Sequence, residues 1–85
     1  MAIELLYFAW VREGMGVAHE VVDPPAEVTT VAALVDWLAA RDETSRDALA
    51  DRDRLRAAVD QDFVAMDANI AGAREIALFP PVTGG

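Results

Sequence analysis

The residues of this chain best placed to do chemistry are its last six, Pro80-Pro81-Val82-Thr83-Gly84-Gly85, which follow the apolar run Glu75-Ile76-Ala77-Leu78-Phe79. The two prolines fix φ and favour a stiff, extended exit from whatever precedes them. The glycine pair has no Cβ, so the tip is thin enough to enter a narrow tunnel. Six extended residues at about 3.3 Å each reach roughly 20 Å, far enough to meet a buried site in another protein. What the tip carries is the carboxylate of Gly85. A carboxylate does not react with nucleophiles until it is activated, for example as an acyl-adenylate. The chain has no P-loop pattern, so an activating enzyme and its ATP come from outside. Once activated, the carbonyl can pass to an amine, or to sulfur to give a C-terminal thiocarboxylate, a compact sulfur nucleophile. Gly85, with Gly84 beside it, is therefore the candidate reactive site.

Composition removes most other chemistries. The chain has 85 residues, room for one hydrophobic core and no second domain. Much of its 54% hydrophobic content is alanine, so the core rests on a limited set of Leu, Val, Ile, Phe and Trp side chains. Fifteen acidic residues against seven basic ones, a formal charge of -8, oppose a nucleic-acid partner, because phosphate backbones require a basic surface. The same repulsion argues against an anionic membrane. All seven basic residues are arginine, which excludes Schiff-base chemistry or an isopeptide acceptor on a lysine of this chain. With no cysteine there is no disulfide, thiol nucleophile or thiolate metal site, and His19 alone cannot build a histidine metal site. The opening run MAIELLYFAW lacks a cationic leader and is interrupted by Glu4, so neither a signal peptide nor a membrane span is expected. No bound cofactor and no metal are expected, and the expected location is the cytoplasm.

The elements that must position the tail are legible in outline. Ile3 to Val11 is rich in strand formers and reads as a buried strand; Arg12 to Gly16 reads as a turn or a short helical turn. Val17 to Val22 alternates as a second strand, which Asp23-Pro24-Pro25 ends. Thr30 can cap a helix whose stripe is Val31, Leu34, Val35 and Leu38, with Trp37 beside the stripe and Asp36 facing out. The charged run from Arg41 to Arg56 reads as a solvated loop with a short second helix around Ser45 to Ala50. Leu55 to Gln61 and Phe63 to Met66 read as short strands, Asp67 to Gly72 as a turn, and Glu75 to Phe79 as the last strand, with Ile76 and Leu78 on one face and Ala77 and Phe79 on the other. A helix that must bury its stripe on a sheet makes this an α+β chain. The order fits a β-grasp (ubiquitin-like) mixed sheet, with the first strand parallel to the last and one main helix packed on one face. Residues 1–79 would form that domain and residues 80–85 a flexible tail.

The closing block EIALFPPVTGG closely resembles the carboxyl end of the small, sulfur-carrying subunits of molybdopterin synthase, which are ubiquitin-like. YFAWVRE resembles that family's strand-and-turn segment, with Phe8, Ala9, Arg12 and Glu13 in register, and AAVDQ resembles a strand that usually carries Asn where Asp60 stands. The chain departs from the family before its last strand, where Ala73-Arg74 follows Gly72 in place of a common Gly-Asp pair. The resemblance implies that an E1-like enzyme adenylates Gly85 and a sulfur-transfer protein converts it to a thiocarboxylate. The tail would then enter the large subunit and donate sulfur to cyclic pyranopterin monophosphate, the synthase being a heterotetramer whose large subunits bring the catalytic groups.

Partner-binding residues expected from these readings are Phe79, Pro80, Pro81, Val82 and Thr83 at the root of the tail, with Phe8 and Arg12 from the resembling segment. A two-layer fold leaves one sheet face without a helix, and apolar residues there predict a protein partner. His19 reads as an ordinary surface histidine, and Trp10 and Trp37 as packing residues. The alternatives are a sulfur carrier for thiamin or cysteine synthesis, a modifier conjugated to lysines of other proteins, and an interaction module with an inert tail.

Overall fold

The structure, a computed structural model, describes residues 2–81. Residues Val82, Thr83, Gly84 and Gly85, the reactive end of the expected tail, lie outside the described residues, as does Met1. The elements run β1 (Ile3–Tyr7), α1 (Ala9–Met15), β2 (His19–Val22), α2 (Val31–Ala39), α3 (Glu43–Ala48), a 3₁₀ turn (Arg52–Arg54), β3 (Arg56–Val59), β4 (Asp62–Val64) and β5 (Glu75–Phe79). The five strands form one mixed sheet in the order β2-β1-β5-β3-β4. β1 and β5 lie parallel at its centre, pairing Leu5 with Ile76 and Tyr7 with Leu78, as the β-grasp reading requires.

The first strand is shorter than its composition suggests. Strand formers continue to Val11, yet the strand stops at Tyr7 and residues from Ala9 become helix. The break has no glycine or proline: Ala9 itself adopts φ 51, a left-handed conformation costing an L-residue roughly 1–2 kcal/mol. That turn lets Phe8 stay on the sheet, its N–H donating to the Leu78 carbonyl at 3.2 Å, while Val11 and Met15 fall on the buried side of α1. β1 and β2 are thus joined by a helix, which takes up the short helical turn read at Arg12 to Gly16 but begins earlier, at Ala9.

α2 follows its pattern closely. Thr30 Oγ1 accepts from the Ala33 N–H at 3.1 Å, and Val31, Leu34, Val35 and Leu38 are fully buried against Leu5, Tyr7, Ile76 and Leu78. Trp37 and Trp10 are partly buried at the edge of this core. The charged run is more structured than a solvated loop: α3 is capped by Asp42, whose Oδ1 accepts from the Ser45 N–H at 2.7 Å, and buries Ala48 with the following Leu49. α1 meets α3 at Gly14, where an added Cβ would lie 2.7 Å from the Ala48 Cβ and 3.1 Å from its Cα.

One polar network ties the layers together. The Tyr7 hydroxyl, buried in the core, donates to Glu20 Oε2 at 2.6 Å, and Arg41 donates to both Glu20 oxygens at 3.0 Å. Arg41 binding holds the Glu20 carboxyl below the usual carboxylate range, while burial and the bond to Glu20 push the Tyr7 phenol up.

Two outcomes follow for stability. Gly14→Ala should cost about 1–3 kcal/mol despite its better helix propensity, and Ala48→Gly in the same chain should recover part of the loss, read by denaturant unfolding. Glu20's contribution is complete above its ordinary value of 4.5 and is lost as pH falls through its lowered value. Tyr7's contribution is complete below its ordinary value of 10.0 and is lost as pH rises beyond it. Thermal midpoints measured across pH should therefore fall at both ends, with Glu20→Gln flattening the acid arm and Tyr7→Phe the alkaline arm.

Candidate functional site

All three helices bury residues in the core that also holds Ile3, Leu5, Tyr7, Ile76 and Leu78, so the opposite sheet face has no helical cover. Strand alternation decides what that face shows. From β1 and the residue after it come Leu6 and Phe8, from β5 Ala77 and Phe79, from β3 Ala58, and from β4 Phe63. Phe8 is 48% exposed and Phe63 79%, very high for phenylalanine. Phe63 and Phe79 pack ring on ring, with centroids 5.5 Å apart and planes tilted by 44°.

Two shallow hollows share these rings. One of about 400 Å³ is bordered by Leu6, Phe8, Ala77 and Phe79 among others, and one of about 350 Å³ by Arg56, Ala57, Val64 and Pro81. β5 ends at Phe79, and the chain continues through half-buried Pro80 and Pro81 along the second hollow. Of the residues expected at a partner surface, the structure brings together Phe8, Phe79 and Pro81, with Pro80 between the last two. Arg12 is exposed on α1 and borders neither hollow, so it does not belong to this face.

Phe63 was missed by sequence reading, which treated it only as a strand residue. Its signal is the β3–β4 register: Ala58 pairs with Phe63, and Ala57 with Val64, so the ring is turned away from the core. A two-residue turn sets that register, with Asp60 at φ 49 and Gln61 at φ 74, the positive values that a type I′ hairpin demands. Asp60 does more than turn the chain. Its Oδ1 accepts from the N–H groups of Arg74 and Glu75, both at 3.0 Å, and its own N–H donates to the Glu75 carbonyl at 2.8 Å. The start of β5 is thereby pinned after Gly72 (φ 76) and buried Ala73, where the chain departs from the expected Gly-Asp pair.

Other features carry less. His19 is exposed, with Nε2 3.6 Å from Glu4 Oε2, as an ordinary surface histidine would be. A larger hollow of about 590 Å³ between α1 and α3 shares no residue with the sheet face. Trp10, which borders it, has a buried Nε1 without a hydrogen-bond partner.

The sequence matches the ThiS family over residues 5–85. The chain belongs to that family. It is 41% identical over 83 residues to the molybdopterin synthase sulfur carrier subunit of Escherichia coli (strain K12), covering 98% of this chain and 99% of that protein. It is 31% identical, over the same shares, to the protein of the same name from Haemophilus influenzae. Among solved structures, SAMP1 from Haloferax volcanii superposes with a TM-score of 0.73 at 28% identity over the whole of both chains. The turn at Asp60 has a checkable role in this chain. Asp60→Asn keeps the Oδ1 acceptor and should leave stability unchanged, whereas Asp60→Ala should cost about 1 kcal/mol in denaturant unfolding.

Proposed function

We propose that this chain is the sulfur-carrying small subunit of a molybdopterin synthase. The observation that carries the reading is the near full-length identity of 41% to a sulfur carrier subunit of that enzyme, joined to a tail that leaves β5 beside an uncovered apolar face. The Gly85 carboxylate attacks the α-phosphorus of ATP on an E1-like enzyme and pyrophosphate departs; sulfide-level sulfur delivered by a sulfur-transfer protein then attacks the acyl carbon, and AMP leaves to give a thiocarboxylate. In this reading the activating enzyme binds the ATP, and the chain presents the acyl group.

Docking then positions that group. The large subunit covers the face formed by Phe8, Phe63 and Phe79, and the stiff prolines direct Val82, Thr83, Gly84 and Gly85 into its active site. Sulfur passes to cyclic pyranopterin monophosphate, and two such transfers complete the dithiolene, in a heterotetramer with one small subunit at each end of a large-subunit dimer. Burying exposed aromatic rings supplies the binding energy, and aromatic residues concentrate it. Among the described residues no helix is long and apolar enough to cross a membrane, and this reading assigns the chain to the cytoplasm with its partners.

Removal of Gly85, or Gly84→Phe, should abolish sulfur transfer while leaving circular dichroism and thermal midpoint unchanged. Phe79→Asp should weaken binding to the large subunit by tenfold or more, on the order of 1.4 kcal/mol or above, without blocking adenylation. Co-expression with the activating and sulfur-transfer enzymes, alkylation, and fragment mass spectrometry should map an adduct to Gly85, because the chain has no cysteine to compete. A chain lacking Gly85 that still supports molybdopterin formation, or lysine-linked conjugates in place of the adduct, would overturn the reading.

A further inference from the structure

The open sheet face is aromatic at one end, around Phe8, Phe63 and Phe79, and carries two carboxylates at the other, beside the exposed Val21 that pairs with Glu4. Glu4 and Glu75 are register partners on the parallel strands β1 and β5. Alternation turns both onto this face: Glu4 is exposed between buried Ile3 and Leu5, and Glu75 precedes buried Ile76 and borders the hollow that Phe8 and Phe79 line. Like charges opposite one another on a sheet destabilise it. Among the described residues no arginine pairs with either carboxylate. Arg41 is held by Glu20, Arg52 by Asp36, and Arg56, on the neighbouring strand, turns its guanidinium to the carbonyls of Asp53 and Leu55. Glu4 has the His19 imidazole at 3.6 Å, and no ion pair reaches Glu75 among the described residues. The chain thus keeps two acidic register partners, with no arginine between them, at the margin of the open face.

We infer that Glu4 and Glu75 set the orientation of the docked partner, by receiving between them a basic side chain, Arg or Lys, of the large subunit. This rests on the reading of the open face as that subunit's docking surface. An apolar patch alone tolerates rotation of the partner; a charge placed away from its centre does not, and like-charge mismatch rejects wrong orientations. Glu75 and Phe79 stand four residues apart on β5, about 13 Å. The charge and the root of the tail therefore sit at opposite ends of one strand, and fixing the first aims the second. A pair that is unfavourable in the free chain becomes favourable in the complex. Stability of the free chain and affinity for the partner must then respond in opposite directions, which a merely structural role for these residues does not produce.

The experiment compares the wild-type chain, Glu4→Gln, Glu75→Gln, the double variant and Phe79→Asp. Each is measured for the thermal midpoint of the free chain and for affinity to the purified large subunit by calorimetry at low and high salt. Each glutamine should raise the midpoint by about 1–2 °C and weaken binding at low salt by about two- to fivefold. The binding difference should close at about 0.5 M salt, where exposed charges are screened. If Phe79→Asp loses binding while the double variant keeps wild-type affinity and salt dependence, this inference is overturned and the docking face stands. A lowered midpoint in the double variant would overturn it equally. Wild-type binding by Phe79→Asp would remove the docking reading itself, and this inference with it.

Discussion

The parallel pairing of β1 with β5 is the constraint on which the rest depends. Parallel neighbours cannot be joined by a tight turn, so the chain must pass from β1 to β5 by a long crossover, and the helices and the outer strands β2, β3 and β4 are built from that span. The same pairing supplies the centre of the core, since Leu5, Tyr7, Ile76 and Leu78 are all essentially without solvent contact. Because the strands run the same way, they also end together. Phe8 and Phe79 therefore emerge side by side, and the tail begins where the apolar face is most exposed.

The two faces of the sheet have opposite energetics. The covered face gains from burying aliphatic side chains, each worth roughly 1.5–3 kcal/mol, and that is where a small domain must find its stability. The open face keeps its rings in water, which contributes nothing to folding and is retained at a cost in solubility. A formal charge of -8 opposes the close approach of two copies by mutual repulsion.

Rigidity of the platform comes from polar contacts placed where the layers meet. The Tyr7–Glu20–Arg41 network links β1, β2 and the end of α2, and Arg41 also reaches Ser45 Oγ at 3.4 Å on α3. On the other side of the sheet centre, Asp60 ties the β3–β4 turn to the first residues of β5. Both ends of β5 are held: one by Asp60, the other by the Phe8 N–H on Leu78.

By itself the sequence determined the parts that rest on local chemistry or on periodicity. The α2 stripe with its Thr30 cap, the alternation that buries Ile76 and Leu78 and turns Phe79 to the opposite face, and the Pro-Pro and Gly-Gly character of the tail all follow from residue type and spacing. The resemblance carried by the tail block likewise needed no coordinates to lead to the ThiS family. Tertiary structure alone decided three things. β1 stops at Tyr7 because Ala9 accepts a strained left-handed turn, an outcome paid for by packing α1 on the core and invisible in a run of strand formers. Arg12 lies off the open sheet face because that turn begins a helix. Phe63 joins the face, and Glu4 meets Glu75, because strand register brings together residues distant in the chain. Register is a pairing of whole strands, chosen by the total burial of one face against the other, and no single segment contains that sum.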